Sequence, residues 1–263
     1  MDLEIKDKVA VVLAASKGLG RATAEALSAE GVKVIIGSRN AEELEKTAQE
    51  ISQKTGNQVA AIPVDVTDAQ QVETFVIKAV SHFGRIDILV NNAGGPPFGA
   101  VESFDETAWQ AAFELNLLST VRLTRLVLPH LKKTGSGRII NIVGTSVKSV
   151  LEGSVLSTGI RMGVVGFSKL LADEVGPDQI TVNNVCPGLF LTDRVRGSAI
   201  KKELAAGLTE EQALAEKAKN IPLKRIGKPE ELASLITFLA SGKASYITGT
   251  TIQVDGGVTR SIF

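Results

Sequence analysis

Short apolar runs alternate with amphipathic stretches along almost the whole chain. Val9–Ala14, Val32–Ile36, Gln58–Val64, Ile86–Val90, Arg138–Val143, Ile180–Val185 and Thr250–Val254 have the length and largely apolar character of buried strands. Between them, apolar residues recur three and four positions apart. In Asp68–Phe83, for example, Val72, Phe75, Val76, Ala79 and Val80 share one helical face, and Gly84 stands just past the end. Gly18–Ala29, Glu42–Lys54, a long stretch around Glu106–Lys132, Val155–Val175 and Pro229–Leu239 read as further helices, the first two followed by Gly31 and Gly56. Strands apolar on both faces, separated mostly by helices, predict an α/β protein with a parallel sheet of about seven strands and helices on both faces. Leu189–Lys224 breaks this rhythm. It is charged, carries a partly helical pattern (Leu204, Leu208, Ala213, Leu214) and is expected to form a lid over a site. No repeat, low-complexity tract or linker divides the chain, so one domain over 1–263 is expected.

Composition removes several function classes. With 263 residues, 44% of them hydrophobic, the chain can bury a full core. Its 29 Lys+Arg balance 29 Asp+Glu, so no net charge draws it to nucleic acid or an anionic membrane. A single cysteine, Cys186, excludes an internal disulfide framework and suits a reducing cytosol. With only His82 and His130 besides, no Cys/His metal site is expected. The start, MDLEIKDKVAVV, does not read as a signal peptide, and no uninterrupted apolar stretch approaches the roughly 18–20 residues of a spanning helix. A soluble cytoplasmic protein is expected.

The candidate chemistry begins in VAVVLAASKGLGRATAEAL, from Val9 to Leu27: strand, glycine-bearing turn, helix. That order points backbone N–H groups and a helix N-terminus at an anion, typically a dinucleotide phosphate. Two glycines alone (Gly18, Gly20) also suit a purely structural turn. The end of the second strand adds information. Dinucleotide folds there place the residue that meets the adenosine ribose, an acid for NAD; here Gly37-Ser38-Arg39-Asn40 offers no acid before Glu42. Arg39 supplies a guanidinium fork and Lys17 a second cation, which favours NADP(H); a solvated helix-start Arg39 is the alternative.

Further segments make the pattern specific: Asp65-Val66, Asn91-Asn92-Ala93-Gly94, Asn116, Pro187-Gly188 with Thr192, Arg225, Gly227, Pro229-Glu230-Glu231, and the ending Tyr246-Ile247-Thr248-Gly249 with Val254-Asp255-Gly256-Gly257. On these the chain resembles the short-chain dehydrogenase/reductase family over essentially its whole length, and is most similar to the branch of the 3-oxoacyl-carrier-protein reductases. The resemblance implies a Rossmann-type doubly wound sheet. Ser16, Lys17 and Leu19 would line phosphates and ribose, Asp65 and Val66 would meet adenine, and Asn92 and Gly94 would pass the ribose. Pro187, Gly188, Phe190 and Thr192 would hold the nicotinamide end, while Asn91 would brace the sheet. Leu13 and Ala14 depart from the family's Thr-Gly.

The catalytic positions depart further. The family uses Asn, Ser, Tyr and Lys, and Asn116 matches the first. Counting back from Gly163-Val164-Val165-Gly166-Phe167-Ser168-Lys169 puts Ser157 at the Tyr position and Arg161 at the Lys position; the Ser position falls on Gly144, with Thr145 and Ser146 beyond. Tyr246, the sole tyrosine, lies in the C-terminal signature. A serine hydroxyl is far less acidic than a phenol, and arginine is a poor proton donor. A lost general acid costs about 10²–10⁴ in rate, whereas positioning of the reactants can contribute roughly 7–11 kcal/mol, so turnover is still permitted. Lys148 and Glu152 could carry a proton or be solvated loop charges, and Trp109 reads as packing. The expectation is an NADP(H)-dependent oxidoreductase acting on a small or acyl-linked carbonyl or enoyl substrate, with Asn116, Ser157, Arg161 and Thr145 or Ser146 at the reacting end. Its rival is a non-catalytic NADP(H)-binding regulatory or scaffold protein. The helices Glu106–Lys132 and Val155–Val175 resemble the family's subunit interface, which predicts a homotetramer or dimer.

Overall fold

The apolar runs assemble into one parallel sheet. In the computed structural model, strands β1 (Val9–Leu13), β2 (Lys33–Ser38), β3 (Val59–Pro63), β4 (Ile88–Asn91), β5 (Arg138–Ile142), β6 (Thr181–Pro187) and β7 (Thr251–Val254) lie in the order β3-β2-β1-β4-β5-β6-β7. The structure describes residues 1–262, apart from the side chains of 198, 199 and 202; Phe263, the last residue of the expected domain, lies outside it. The chain runs outward from β1 to β3 and then crosses back to β4, which pairs with β1 on its other side through Ala10, Val11 and Val12. That reversal opens a crevice at the C-terminal ends of β1 and β4, where doubly wound sheets bind their ligands.

Nine α-helices are described: α1 (Gly18–Ala29), α2 (Ala41–Thr55), α3 (Ala69–Phe83), α4 (Glu106–Phe113), α5 (Ser119–Lys132), α6 (Val155–Val175), α7 (Lys201–Ala205), α8 (Glu210–Ala218) and α9 (Pro229–Leu239). Along β1, alternate residues face opposite sides. Ala10 and Val12 join Leu27 of α1, Leu44 of α2 and Ile236 of α9 in one core. Val9, Val11 and Leu13 join Phe75 of α3, Val127 of α5 and Leu171 of α6 in the other. Strands caught between two such cores must be apolar on both faces, which explains their legibility in the sequence.

Two departures bear on the site. The helix expected over Glu106–Lys132 is interrupted by a π-helical turn, Glu114–Leu118, joining α4 to α5. There the Ser119 hydroxyl donates to the Leu115 carbonyl (2.6 Å) and Thr120 to the Asn116 carbonyl (3.2 Å), bonds that compete with regular helical pairing. The segment expected as a lid contains α7, α8 and a π-helical turn, Val195–Ala199. Separately, α6 and the residues after it (Val155–Asp178) are long and apolar enough to cross a membrane by length and composition; in the fold, Leu156, Val164, Leu171, Ala172 and Val175 of this helix are buried.

Beneath the crevice, asparagines in register on neighbouring strands join side chain to side chain. Asn91 donates to Asn141 (2.8 Å), Asn141 to Asn184 (3.1 Å), and Asn184 to Thr251 (3.2 Å), with Thr124 and Ser168 adding bonds from α5 and α6. This buried polar row braces the sheet, the role expected of Asn91.

Candidate active site

The cofactor-facing turn is shaped by close backbone packing. A Cβ on Gly20 would lie 2.3 Å from the Ala14 carbonyl oxygen, so α1 can approach β1 this closely only with glycine there. Ala14 itself has φ 48°, the left-handed region that glycine adopts without cost. Lys17 precedes α1 without a side-chain cap, leaving the first N–H groups of α1 for an anion. Lys17 lies 3.6 Å from Glu43, both well exposed, a contact too long and too solvated to hold it firmly. Arg39 is exposed past β2, and beside it the buried Ser38 hydroxyl has no partner. The Ser16 carbonyl is fixed by the Thr47 hydroxyl at 2.8 Å.

Several expected cofactor residues have a second occupation. Leu19 is half-buried, its side chain packed against one core, and Val66 likewise packs against the opposite core. One Asp65 carboxylate oxygen accepts from the Thr67 N–H (2.9 Å) and hydroxyl (2.7 Å). The Asn92 amide reaches the Ala14 carbonyl at 3.5 Å, tying β4 to the glycine turn. Next to Gly94 the space is open: a Cβ there would meet nothing within 4 Å.

After β6, Gly188 is required because a Cβ would lie 2.7 Å from the Asp255 backbone. Phe190, expected at the nicotinamide end, could reach a cofactor there only through its backbone. Its side chain is buried in the core, and a Cβ on Gly227 would lie 2.8 Å from the ring. The ring is an anchor, joined by bonds between Leu191 N–H and the Gly227 carbonyl and between Gly227 N–H and the Leu189 carbonyl. Thr192 lies opposite the glycine turn, 3.5 Å from where a Gly18 side chain would begin.

The other end of the crevice centres on Arg161. Its Nε (3.1 Å) and Nη2 (3.0 Å) donate to the Asn116 side-chain oxygen, and its Nη1 donates to the Val143 carbonyl. The π-helical turn carries the buried Asn116, whose amide donates to the Ala112 carbonyl at 3.3 Å. Gly144 completes the arrangement: a Cβ there would sit 3.1 Å from Arg161 Nη1, so the missing side chain leaves room for the guanidinium. Burial, then the charge of Arg194, pushes Arg161 down to about 10, which leaves it protonated at neutral pH. Burial also pushes the nearby Cys186 thiol up to about 11, keeping it un-ionised.

Ser157 lies half-buried four residues before Arg161, hence on the same face of α6. Thr145 and Ser146 form a short 3₁₀ turn past β5, with Ser146 buried. Lys148 is half-buried and Glu152 exposed. Tyr246 is fully exposed, so no phenol faces the crevice among the described residues. A cavity of about 10 Å³, room for one water, is lined by Asn91, Asn92, Asn116, Thr120, Asn141 and Arg161 among others, and the Asn91 side-chain oxygen there is buried without a partner. Trp109 packs over α6, its ring 3.2 Å from where a Gly159 side chain would begin, and with Phe113 and Ile160 it lines an open groove.

One site residue escaped the sequence reading. Arg194 crosses the crevice: Nη2 donates to the Pro96 carbonyl (3.3 Å), and a Cβ on Gly95 would lie 2.3 Å from Nη1. Its position two residues after Thr192 was the available signal, but periodicity does not place a side chain in an irregular segment.

A doubly wound sheet, a glycine turn aimed at its switch point and a polar cluster across the same crevice define a dinucleotide-binding α/β protein of the oxidoreductase type. A profile of the family described as enoyl-(acyl carrier protein) reductase matches residues 13–259. The chain is 37% identical to the 3-oxoacyl-(acyl-carrier-protein) reductase FabG of Escherichia coli over 257 residues, covering 97% of this chain and 99% of that protein. It is 36% identical to the short-chain reductase protein NovJ of Streptomyces niveus, over 96% and 94% of the two chains. Among solved structures, L-sorbose reductase from Gluconobacter frateurii, complexed with NADPH and L-sorbose, superposes with a TM-score of 0.96 at 34% identity over 100% of both chains. The chain belongs to the short-chain dehydrogenase/reductase family.

Proposed function

We propose that the protein is an NADP(H)-dependent reductase of a small or acyl-linked carbonyl or conjugated enoyl compound, with a reacting end built differently from the rest of its family. The observation that carries this reading is the junction of two parts in one crevice. The open N-terminus of α1, Lys17, Arg39 and the unpartnered Ser38 hydroxyl suit a dinucleotide with a 2′-phosphate, while Asn116 and Arg161 line a small cavity beside Asn92, and Ser157 lies one turn before Arg161 on α6. The relative complexed with NADPH supports the choice of cofactor. When bound, NADPH supplies the hydride. Arg161 contributes a fixed positive charge at the reacting end, held in aim by Asn116. Ser157 and either Thr145 or Ser146 donate hydrogen bonds to the substrate oxygen, and the proton comes from water. Reduction of a conjugated C=C fits best, because carbon can take its proton from water without a phenol. The segment 189–224 serves as the substrate lid of a single functional domain. Trp109, Phe113 and Ile160 make the apolar groove α4–α6 would bury against a second copy, giving a dimer or tetramer, which sedimentation tests.

Titration with NADPH and NADH, followed by nicotinamide fluorescence, tests the cofactor half. NADPH should bind at least about tenfold more tightly, and replacing Lys17 and Arg39 together with Gln should remove about 1.5–3 kcal/mol of that binding while leaving NADH nearly unaffected. Equal affinity for both cofactors contradicts the assignment. A second reading, a non-catalytic NADP(H)-responsive protein, is favoured by the lack of a phenol in the crevice. It predicts tight NADPH binding with background NADPH oxidation across oxo acids, enoic acids and their esters and thioesters.

A further inference from the structure

Arg161 is a cation without a counter-ion. None of the ion pairs among the described residues involves it, and its hydrogen bonds go to two uncharged oxygens, the Asn116 side chain and the Val143 carbonyl. Those bonds aim the guanidinium but do not neutralise it. Three of its five N–H groups are committed, leaving one on each Nη. Gly144 has no side chain to cover Nη1.

The surroundings add positive charge. Arg194 lies close enough to depress the basicity of Arg161, and Lys148 and Arg161 both act electrostatically on Cys186. The carboxylate that also reaches Cys186, Asp255, is held by the N–H groups of Gly257 (2.9 Å) and Thr259 (3.0 Å). A partly buried, uncompensated guanidinium is costly in the free protein and becomes favourable once an anion meets it. A ribose hydroxyl, the partner expected of a lysine at this position, would not balance the charge.

We infer that Arg161 is the recognition residue for a carboxylate on the substrate, which makes the substrate a free oxo acid or enoic acid and not a neutral sugar or an acyl thioester. This rests on the reductase reading for the reaction but not for the binding. Each Nη keeps one N–H not committed to Asn116 or Val143, a donor for each oxygen of a carboxylate, and Ser157 on the same face of α6 can donate to a neighbouring oxygen. Asn116 acts as a positioning residue, fixing the guanidinium plane.

The test uses matched pairs: a 2-oxo acid, a 3-oxo acid and a 2-enoic acid, each against its methyl ester, with NADPH oxidation followed at 340 nm. The acid of at least one pair should exceed its ester in kcat/KM by about tenfold or more. Arg161→Gln should abolish that preference through KM, and Arg161→Lys should retain part of it. Equal or better turnover of every ester, or an acid preference surviving in Arg161→Gln, overturns the inference. If neither form of any pair is reduced, the reductase reading fails, and malonate binding by calorimetry, with and without NADPH, still decides the carboxylate site. Binding by the wild type that is lost in Arg161→Gln supports it, and no binding by the wild type overturns it. Should Arg161→Gln fail to fold, Gly144→Ala keeps the charge but sets a methyl 3.1 Å from Nη1, and should weaken malonate several-fold; unchanged affinity counts against the site.

Discussion

The turn after β1 and the turn after β5 lie on the same edge of one sheet, yet they are built in different ways. After β1 the work is done by backbone: N–H groups at the start of α1, a glycine allowing close packing, and a chain path through positive φ. Ala14 stands where we read the family pattern as having glycine, and the backbone takes the left-handed conformation there, at φ 48°. After β5 the work belongs to side chains, and the changes interlock. On our reading Gly144, Ser157 and Arg161 replace Ser, Tyr and Lys, and the guanidinium occupies space that a side chain at 144 would need. A site made of backbone tolerates an isolated substitution with strain. A site made of side chains is rebuilt as a set.

The comparison breaks most sharply if the set is reversed. The combined change Gly144→Ser, Ser157→Tyr and Arg161→Lys should raise NADPH oxidation with a simple 3-oxo ester by about 10²–10⁴-fold, the worth of a general acid. Gly144→Ser alone should give no such gain, because its Cβ would start 3.1 Å from Arg161 Nη1 and disturb the bond to Val143. A triple variant that folds and binds NADPH but gains nothing would mean that more than these positions has been rebuilt.

How far each end could be read in advance follows the same division. Strand order, helix positions and the glycine turn depend on periodicity and on residues with narrow backbone roles, and those leave local marks. Gly18–Ala29, Val155–Val175 and Pro229–Leu239 are legible to the residue, while most other boundaries differ by one or two positions. The π-helical turn at Asn116 was not legible, since hydroxyls bonding back to carbonyls at Ser119 and Thr120 give no apolar periodicity. Nor was the burial of Phe190, whose ring anchors against Gly227, distant in sequence. Arg194 escaped for a related reason: its bond to the Pro96 carbonyl joins segments 98 positions apart.

A smaller effect, on pH dependence, separates the two ends again. Arg161 sits at about 10, well below the ordinary guanidinium range, because burial and Arg194 disfavour its charge. Anion binding at the reacting end should be flat from about pH 6 to 9 and fall as pH passes about 10, measured as malonate affinity. Stability has the opposite sign. Above about pH 10 the unfolded chain holds more protons at this group than the folded one, so its contribution to stability grows as pH rises while binding is lost. A phenol serving as acid in the crevice would instead depress turnover as it ionises. A decline of malonate affinity centred near pH 7 would contradict Arg161 as the group in contact.

The smallest effect belongs to the backbone end. Ala14→Gly removes a methyl from a residue held in the left-handed region, which for a non-glycine residue costs about 1–3 kcal/mol. Glycine returns roughly 0.5–1 kcal/mol through the greater freedom of the unfolded chain. The net expectation is stabilisation of about 1 kcal/mol, a rise in Tm of about 2–4 °C for a chain this size. Because Gly20 packs against the Ala14 carbonyl, the path of the turn should persist after the change, and NADPH should bind as well or slightly tighter. Urea unfolding of Ala14→Gly beside the wild type measures this directly. A loss of stability would show that the Ala14 methyl contributes more through packing than its conformation costs, and the turn after β1 would then depend on its side chains as the turn after β5 does.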